Sequence, residues 1–257
     1  ASVLRAGTSA IKTVTVADET PNGSSFNVDL AWSKSRTSVA NHRLFSTAVG
    51  SNDYDNLRPD TTSALDTSTT DSLTSFETDG TYDLGADSSN LVNDTGVNYV
   101  DWIFKLGGTA STNEDGTIDS SVSVNQTLGM SVGTYTGTGS AATIGHGLGV
   151  TPQMIIVKKT SGTGLWATYH SGLDASAPED KYVALDATTA VQDYAAYWND
   201  TAPTSSVFTI GTDGGVNTSS GTHMFIAFAP SEYISIGSYE GNGNANGTFV
   251  PTLNSLG

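Results

Sequence analysis

The side chains best suited to proton transfer or metal binding near neutral pH are four histidines, His42, His146, His170 and His223. None belongs to a His-x-His or His-Glu-x-x-His pair of the kind that binds zinc. His146 sits in a glycine-rich turn just ahead of an apolar run. There a ring nitrogen bonded to loop backbone is the plainer expectation, and a ligand or metal contact the sharper one. His42 adjoins Arg43 in a turn-to-strand stretch and reads as structural. The run Asn113-Glu114-Asp115-Gly116-Thr117-Ile118-Asp119 offers closely spaced oxygens, as a calcium loop would, but lacks the distal glutamate of an EF-hand. It reads as a solvated linker, and the acids Asp83, Asp87 and Asp94, or Asp174, Glu179 and Asp180, as turn residues. The strings Gly137-Thr138-Gly139 and Gly241-Asn242-Gly243 are followed by no helix carrying Lys-Ser/Thr, so they suit strand edges or bulges rather than a phosphate cradle. Cysteine is absent, which removes disulfides, zinc–thiolate sites and thiol catalysis. No Gly-x-Ser-x-Gly elbow or Ser-His-Asp grouping stands out, although a glycosidase would need only two carboxylates. The expectation is a protein that is not an enzyme and holds no cofactor, a divalent cation such as calcium being the one candidate.

Charge narrows the partners. Twenty-six acids against 10 bases give a net charge of −16, which repels phosphate backbones and anionic membranes. Neither nucleic acid nor a membrane is an expected partner. No apolar run approaches the roughly 20 residues of a membrane helix, and Ala1 to Val16 does not read as a signal peptide. The absent initiating methionine reads as processing or as part of a longer chain.

The elements that would position these residues are strands. Hydrophobic residues are 37% of the chain and 28 residues are glycine, with short apolar runs separated by turn formers such as Asp79-Gly80, Asp115-Gly116 and Asp213-Gly214. Met154 to Val157 and Met224 to Ala229 have the length of buried strands. Ala184 to Tyr197 is the best helical candidate. Strand signals also recur in order. Ala31-Trp32-Ser33-Lys34 matches Ile155-Ile156-Val157-Lys158, Leu44-Phe45 matches Thr168-Tyr169, and Asn93 matches Asn217, all at an offset of 124. Tyr82 to Gly85 matches Phe208 to Gly211 at 126, and Tyr99 to Phe104 matches Met224 to Ala229 at 125. A shorter repeat carries Ser131 to Gly139 onto Ser235 to Gly243 at 104.

The fold expected is all-β, with two tandem related β-sandwich (jelly-roll-like) units joined by a short polar linker. Residues 1–25 form an N-terminal segment, pairing or linker, 26–108 the first unit, 109–127 the polar linker, 128–234 the second unit, and 235–257 a terminal strand or the start of a further unit. Trp32, Trp102, Met154, Ile156, Phe208 and Phe225 are the expected core residues, while His146 and Trp166 are the candidates for ligand contact.

Several of these motifs resemble a repeat of structural proteins from marine tailed bacteriophages, including cyanophages. The first half has Trp32-Ser33-Lys34-Ser35-Arg36, Asn41-His42-Arg43-Leu44, Thr74-Ser75-Phe76, Asp79-Gly80, Leu84-Gly85 and the aromatic strand Tyr99 to Gly108. The second half resembles a companion form through Tyr135 to Gly139, His146 to Pro152, Met154 to Lys158, Trp198-Asn199, Pro203 to Phe208 and Gly221 to Ala229. The first unit departs from the pattern at Asn27-Val28, where Gln-Pro is usual, and the N-terminal 25 residues carry no resemblance. The resemblance implies a virion protein on the particle surface: a tail fibre, spike or capsid-attached appendage. The alternative is a receptor-binding module for host cell-surface polysaccharide, and a more distant one a glycan-degrading tail spike. Expected partners are other virion proteins and further copies of the chain. A homo-oligomer, as a trimer, would supply rigidity that modest cores without disulfides do not.

Overall fold

The computed structural model describes residues 1–16, 25–87, 91–248 and 250. The chain is all-β; the described residues hold 18 strands and two α-helices of four residues each. The first 106 residues build a sandwich of two sheets. One is ordered β1(Ser2–Ala6)-β8(Asn98–Phe104)-β3(Leu30–Ser35)-β4(Arg43–Ser46)-β5(Asn56–Leu57). The other is β2(Lys12–Thr15)-β7(Thr81–Leu84)-β6(Leu73–Phe76). The second sandwich repeats this plan. Its large sheet is β16(Gln192–Asp193)-β15(Lys181–Ala184)-β14(Trp166–His170)-β13(Met154–Lys159)-β18(Thr222–Phe228)-β11(Met130–Thr136)-β10(Ser120–Asn125)-β9(Ser111–Asn113). Its small sheet is β12(Ala142–Gly145)-β17(Val207–Ile210).

Register makes the repeat explicit. Trp32 pairs with Trp102 and with Leu44, while Ile156 pairs with Ile226 and with Thr168. Every strand of the β3–β4–β8 set therefore has its counterpart 124 residues on. For β8 this corrects the expected offset of 125: Tyr99 corresponds to His223, not Met224. A slip of one residue exchanges the faces of a strand, so the distinction decides which side chains are equivalent. β1 corresponds to β11 at an offset of 130, since Ser2 pairs with Trp102 as Val132 pairs with Ile226.

Alternation along the strands directs one face of each large sheet toward its small sheet and the other toward the companion sandwich. Val3, Val14, Ala31, Phe45, Tyr82, Leu84 and Ile103 fill the first core. Ile144, Ile155, Val157, Phe208, Ile210 and Phe225 are among those filling the second. A third core lies between the sandwiches, where Leu30, Leu44, Leu57 and Leu106 meet Met130, Val132, Ile156, Trp166, Met224 and Ile226. The result is four layers of sheet stacked around three cores.

Of the two alternatives for the N-terminal segment, the structure has pairing: β1 joins the large sheet and β2 the small sheet of the first sandwich. The other expected boundaries need three corrections. The polar stretch expected to be a linker contains the whole of β9 and β10, which extend the large sheet beyond β11; β9, at the edge, is largely exposed and so tolerates polar residues. The helix expected over Ala184–Tyr197 shrinks to one turn at Ala195–Trp198, because β15 and β16 occupy the sequence before it. Ser235 to Gly243, expected as a terminal strand, forms no ladder; the rest of that segment from residue 251, and Phe249, lie outside the described residues.

Candidate functional site

A densely bonded, buried ionic cluster lies inside the first sandwich. Arg5, on β1, grips the Asp101 carboxylate of β8 through two nitrogens, Nη2 at 3.0 Å to Oδ1 and Nε to Oδ2. Ser33 Oγ and Tyr82 Oη each donate to the same carboxylate at 2.6 Å, and the guanidinium rests 4.8 Å from the centre of the Tyr99 ring. All four polar residues are nearly sealed from solvent. Burial and the neighbouring Asp101 push the Tyr82 hydroxyl well above its ordinary pKa. The counterparts in the second sandwich are Tyr135, Phe225, Val157 and Phe208. There Tyr135 stacks on His223 at 5.2 Å, its hydroxyl donates to the Val216 carbonyl, and Phe208 meets Phe225 edge-on at 5.2 Å. One repeat thus closes its core with an ionic network, the other with aromatic rings. Glycine accompanies the choice: a Cβ at Gly133 would strike the Phe225 ring, whereas its counterpart Val3 faces the shorter Asp101.

Between the sandwiches, one corner of the third core is open. A cleft of about 360 Å³ is lined by Leu30, Trp32, Trp102, Phe104, Met130, Ile226 and Phe228, with His42 as its one ionisable member. The indoles of Trp32 and Trp102 meet edge to face at 6.2 Å. Trp102 is 40% exposed, against 2% for its counterpart Ile226, and Leu4 on the neighbouring edge strand β1 is 58% exposed. Its placement at this rim corrects the expectation of a core residue. Trp32 Nε1 donates to His42 Nδ1 at 2.9 Å, and burial lowers the pKa of that imidazole.

The other histidines are held alike. Leu148 N–H donates to His146 Nδ1, whose Nε2 meets the Thr204 carbonyl at 3.2 Å. Gly172 N–H donates to His170 Nδ1. Thr218 N–H donates to His223 Nε2, whose Nδ1 meets the Gly221 carbonyl. Each ring accepts an N–H, which requires a neutral imidazole and occupies its lone pair. Desolvation lowers all four pKa values, that of His223 to about 4. Among the described residues no three His, Asp or Glu side chains converge as a metal site requires. In the run Asn113–Asp119, Asn113 and Asp115 bond to each other within a turn.

A family model matches residues 1–253, which spans both sandwiches, and its description is a domain of unknown function, DUF7483. The chain belongs to the DUF7483 family. Comparison with curated proteins and with solved structures returns no match. In this DUF7483 chain the two candidates for ligand contact are both buried. His146 is enclosed in the second sandwich. Trp166 is sealed in the third core, its Nε1 donating to the Arg58 and Thr61 carbonyls of the first sandwich at 3.0 and 3.1 Å. It pins one unit to the other instead of facing a ligand. Ile156, Phe208 and Phe225 are buried, and Trp32 and Met154 are partly buried against the third core. Sequence reasoning missed the Arg5–Asp101 network, because Arg5 lay in a segment assigned to no sandwich. The signal available was a lone basic residue between apolar neighbours, Leu4-Arg5-Ala6.

Proposed function

We propose that this chain is a non-enzymatic structural module of a tailed-phage virion, a rigid appendage or fibre segment displayed on the particle surface. The observation that carries the reading is the packing of two related sandwiches through equivalent faces: Trp32 and Ile156, Phe104 and Phe228, Leu30 and Met154 all line the core between them. Such stacking converts small units into one stiff body without cysteine. The histidines, whose lone pairs are committed to backbone or indole N–H groups, suit a scaffold better than a general base. Gold-labelled antibody raised against the chain tests the proposal: label on intact particles is expected, and purified virions that lack the protein would overturn it.

A second reading, recognition of host polysaccharide, draws on the exposed Trp102, since indole faces stack on sugars. The apolar lining of the cleft fits a sugar poorly. A glycan array probed with the parent and with Trp102→Ala separates the readings, because only a glycan receptor gives signal that the substitution removes.

A further inference from the structure

The nine residues Ser131 to Gly139 recur as Ser235 to Gly243, and Ala1 to Ser9 holds the equivalent place in the first sandwich, with Gly7 and Thr8 standing where Gly137 and Thr138 do. Ala1 to Ser9 contains β1 and Ser131 to Gly139 contains most of β11; each adds to its β8- or β18-type strand, β1 at the start of its sandwich and β11 after β9 and β10. In β11 every position has a reason. Gly133 leaves space for the Phe225 ring, and Tyr135 enters the core to stack on His223. Thr136 faces solvent. A Cβ at Gly137 would strike the Thr218 carbonyl, so the chain can pass closely there only as glycine. Asn217 then clamps the end, accepting from the N–H groups of Thr138 and Gly139.

The stretch Ser235 to Gly243 keeps each of these features. Gly237 stands for Gly133, Tyr239 for Tyr135, Glu240 for the solvent-facing Thr136, and Gly241 for Gly137. Yet nothing comes within 4 Å of a Cβ placed at Gly237 or Gly241, and Tyr239 is 68% exposed. A tyrosine and two glycines selected to fit a sheet are presented to solvent. We propose that Ser235–Gly243 is a β11-type strand of a further sandwich, laid down ahead of the β18-type strand it pairs with, as β1 precedes β8 and β11 precedes β18. The sandwich it fits is of the second type. Glycine at 237 calls for a phenylalanine opposite, as Gly133 does, and tyrosine at 239 replaces the arginine that an ionic network needs. The strand it meets therefore carries an aromatic ring facing Gly237 and an imidazole or ring facing Tyr239, with an asparagine clamping Gly241-Asn242-Gly243. This inference stands apart from the virion assignment.

A full-length chain carrying Val132→Ile, Thr134→Ser, Thr136→Glu and Thr138→Asn gives β11 the sequence of residues 235–243. It is expected to unfold in one transition within about 8 °C of the parent; a larger loss, or aggregation, overturns the proposal. A second experiment uses Gly133→Val, which sets a side chain against the Phe225 ring and loosens β11. A synthetic peptide of residues 235–243 should raise the melting temperature of that variant in proportion to its concentration, and a Tyr239→Ala peptide should not. No rise with the native peptide overturns the proposal; if Gly133→Val fails to fold, the four-substitution chain decides alone. Concentration-dependent association of the parent that Gly237→Val abolishes would place the acceptor in another molecule and overturn the tandem order.

Discussion

Asp101 takes four hydrogen bonds from three side chains in a closed core, while its counterpart Phe225 takes none. Buried ion pairs are weak sources of stability but costly to break, since the survivor keeps an uncompensated charge. Asp101→Ala is therefore expected to lose about 3–5 kcal/mol in denaturant titration. Giving the first sandwich the residues of the second, through Val3→Gly, Arg5→Tyr, Ser33→Val, Tyr82→Phe and Asp101→Phe, is expected to leave it within about 2 kcal/mol of the parent. A second pair of residues carries the same weight in both halves. The side-chain amide of Asn93 donates to the Gly85 and Ala10 carbonyls, and that of Asn217 to the Gly211 and Ser140 carbonyls. Asn93→Ala and Asn217→Ala should each cost about 2–3 kcal/mol by leaving those buried partners unsatisfied, read from the same titrations. The match of Asn93 with Asn217 was legible from spacing alone. Its reason was not, because the three backbone segments it ties together are far apart in sequence.

At the level of elements, apolar runs marked β3, β8, β13 and β18 plainly, since strands buried on both faces read as continuous hydrophobic stretches. The Trp-x-Lys of β3 and the Ile-x-Lys of β13 also have a common role. Lys34 Nζ donates to the Ala40 carbonyl and Lys158 Nζ to that of Gly164, each closing the hairpin that leads to the next strand. Lys158 additionally reaches the Thr62 carbonyl in the other sandwich, and burial brings its pKa to about 8. The strands that went unread, β1, β2, β9 and β10, are edges or carry polar residues on an open face, where alternation is too short to separate from loop. β10 covers the β11 edge, whereas the matching edge of β1 has no such cover among the described residues. The apolar cleft was equally hidden, because Trp32, His42 and Trp102 converge only through pairing of β3 with β4 and β8.

For the whole molecule, acidity should weaken the fold in two separate windows. Each histidine has a folded pKa below its unfolded value of about 6.5. The unfolded chain thus takes up protons first, and stability falls as pH drops below about 6.5, levelling for His223 only near 4. Asp66 acts in the same sense at lower pH: burial alone would raise its pKa, but hydrogen bonds from Ser68, Thr69 and Arg58 outweigh it and depress the pKa, so its contribution persists above the ordinary carboxylate value and is lost as pH falls below it. Melting temperatures measured from pH 7 to 4.5 should decline, and His223→Tyr, which installs the residue found at the matching position of the first sandwich, should flatten the slope. The proposed oligomer, a trimer, must also hold together against 16 net negative charges per chain. Light scattering with and without chelator is expected to show assembly, sensitive to chelator if carboxylates are bridged by cations; a monomer at high concentration in divalent salt would refute it.

Matching residues line both sides of the third core, and this has an ancestral meaning. A surface that packs on its own equivalent is the geometry of a twofold homodimer, in which one patch serves as both donor and recipient. A single-sandwich forebear with that patch would pair with itself, and duplication with fusion would then tether the pair and free each half to diverge. Arg5 and Asp101 in one half, and Tyr135 and Phe225 in the other, are divergence of that kind. Residues 1–108 and 109–257, produced as two polypeptides and mixed, are then expected to reassociate one to one, the tether having replaced a bimolecular encounter rather than created the contact.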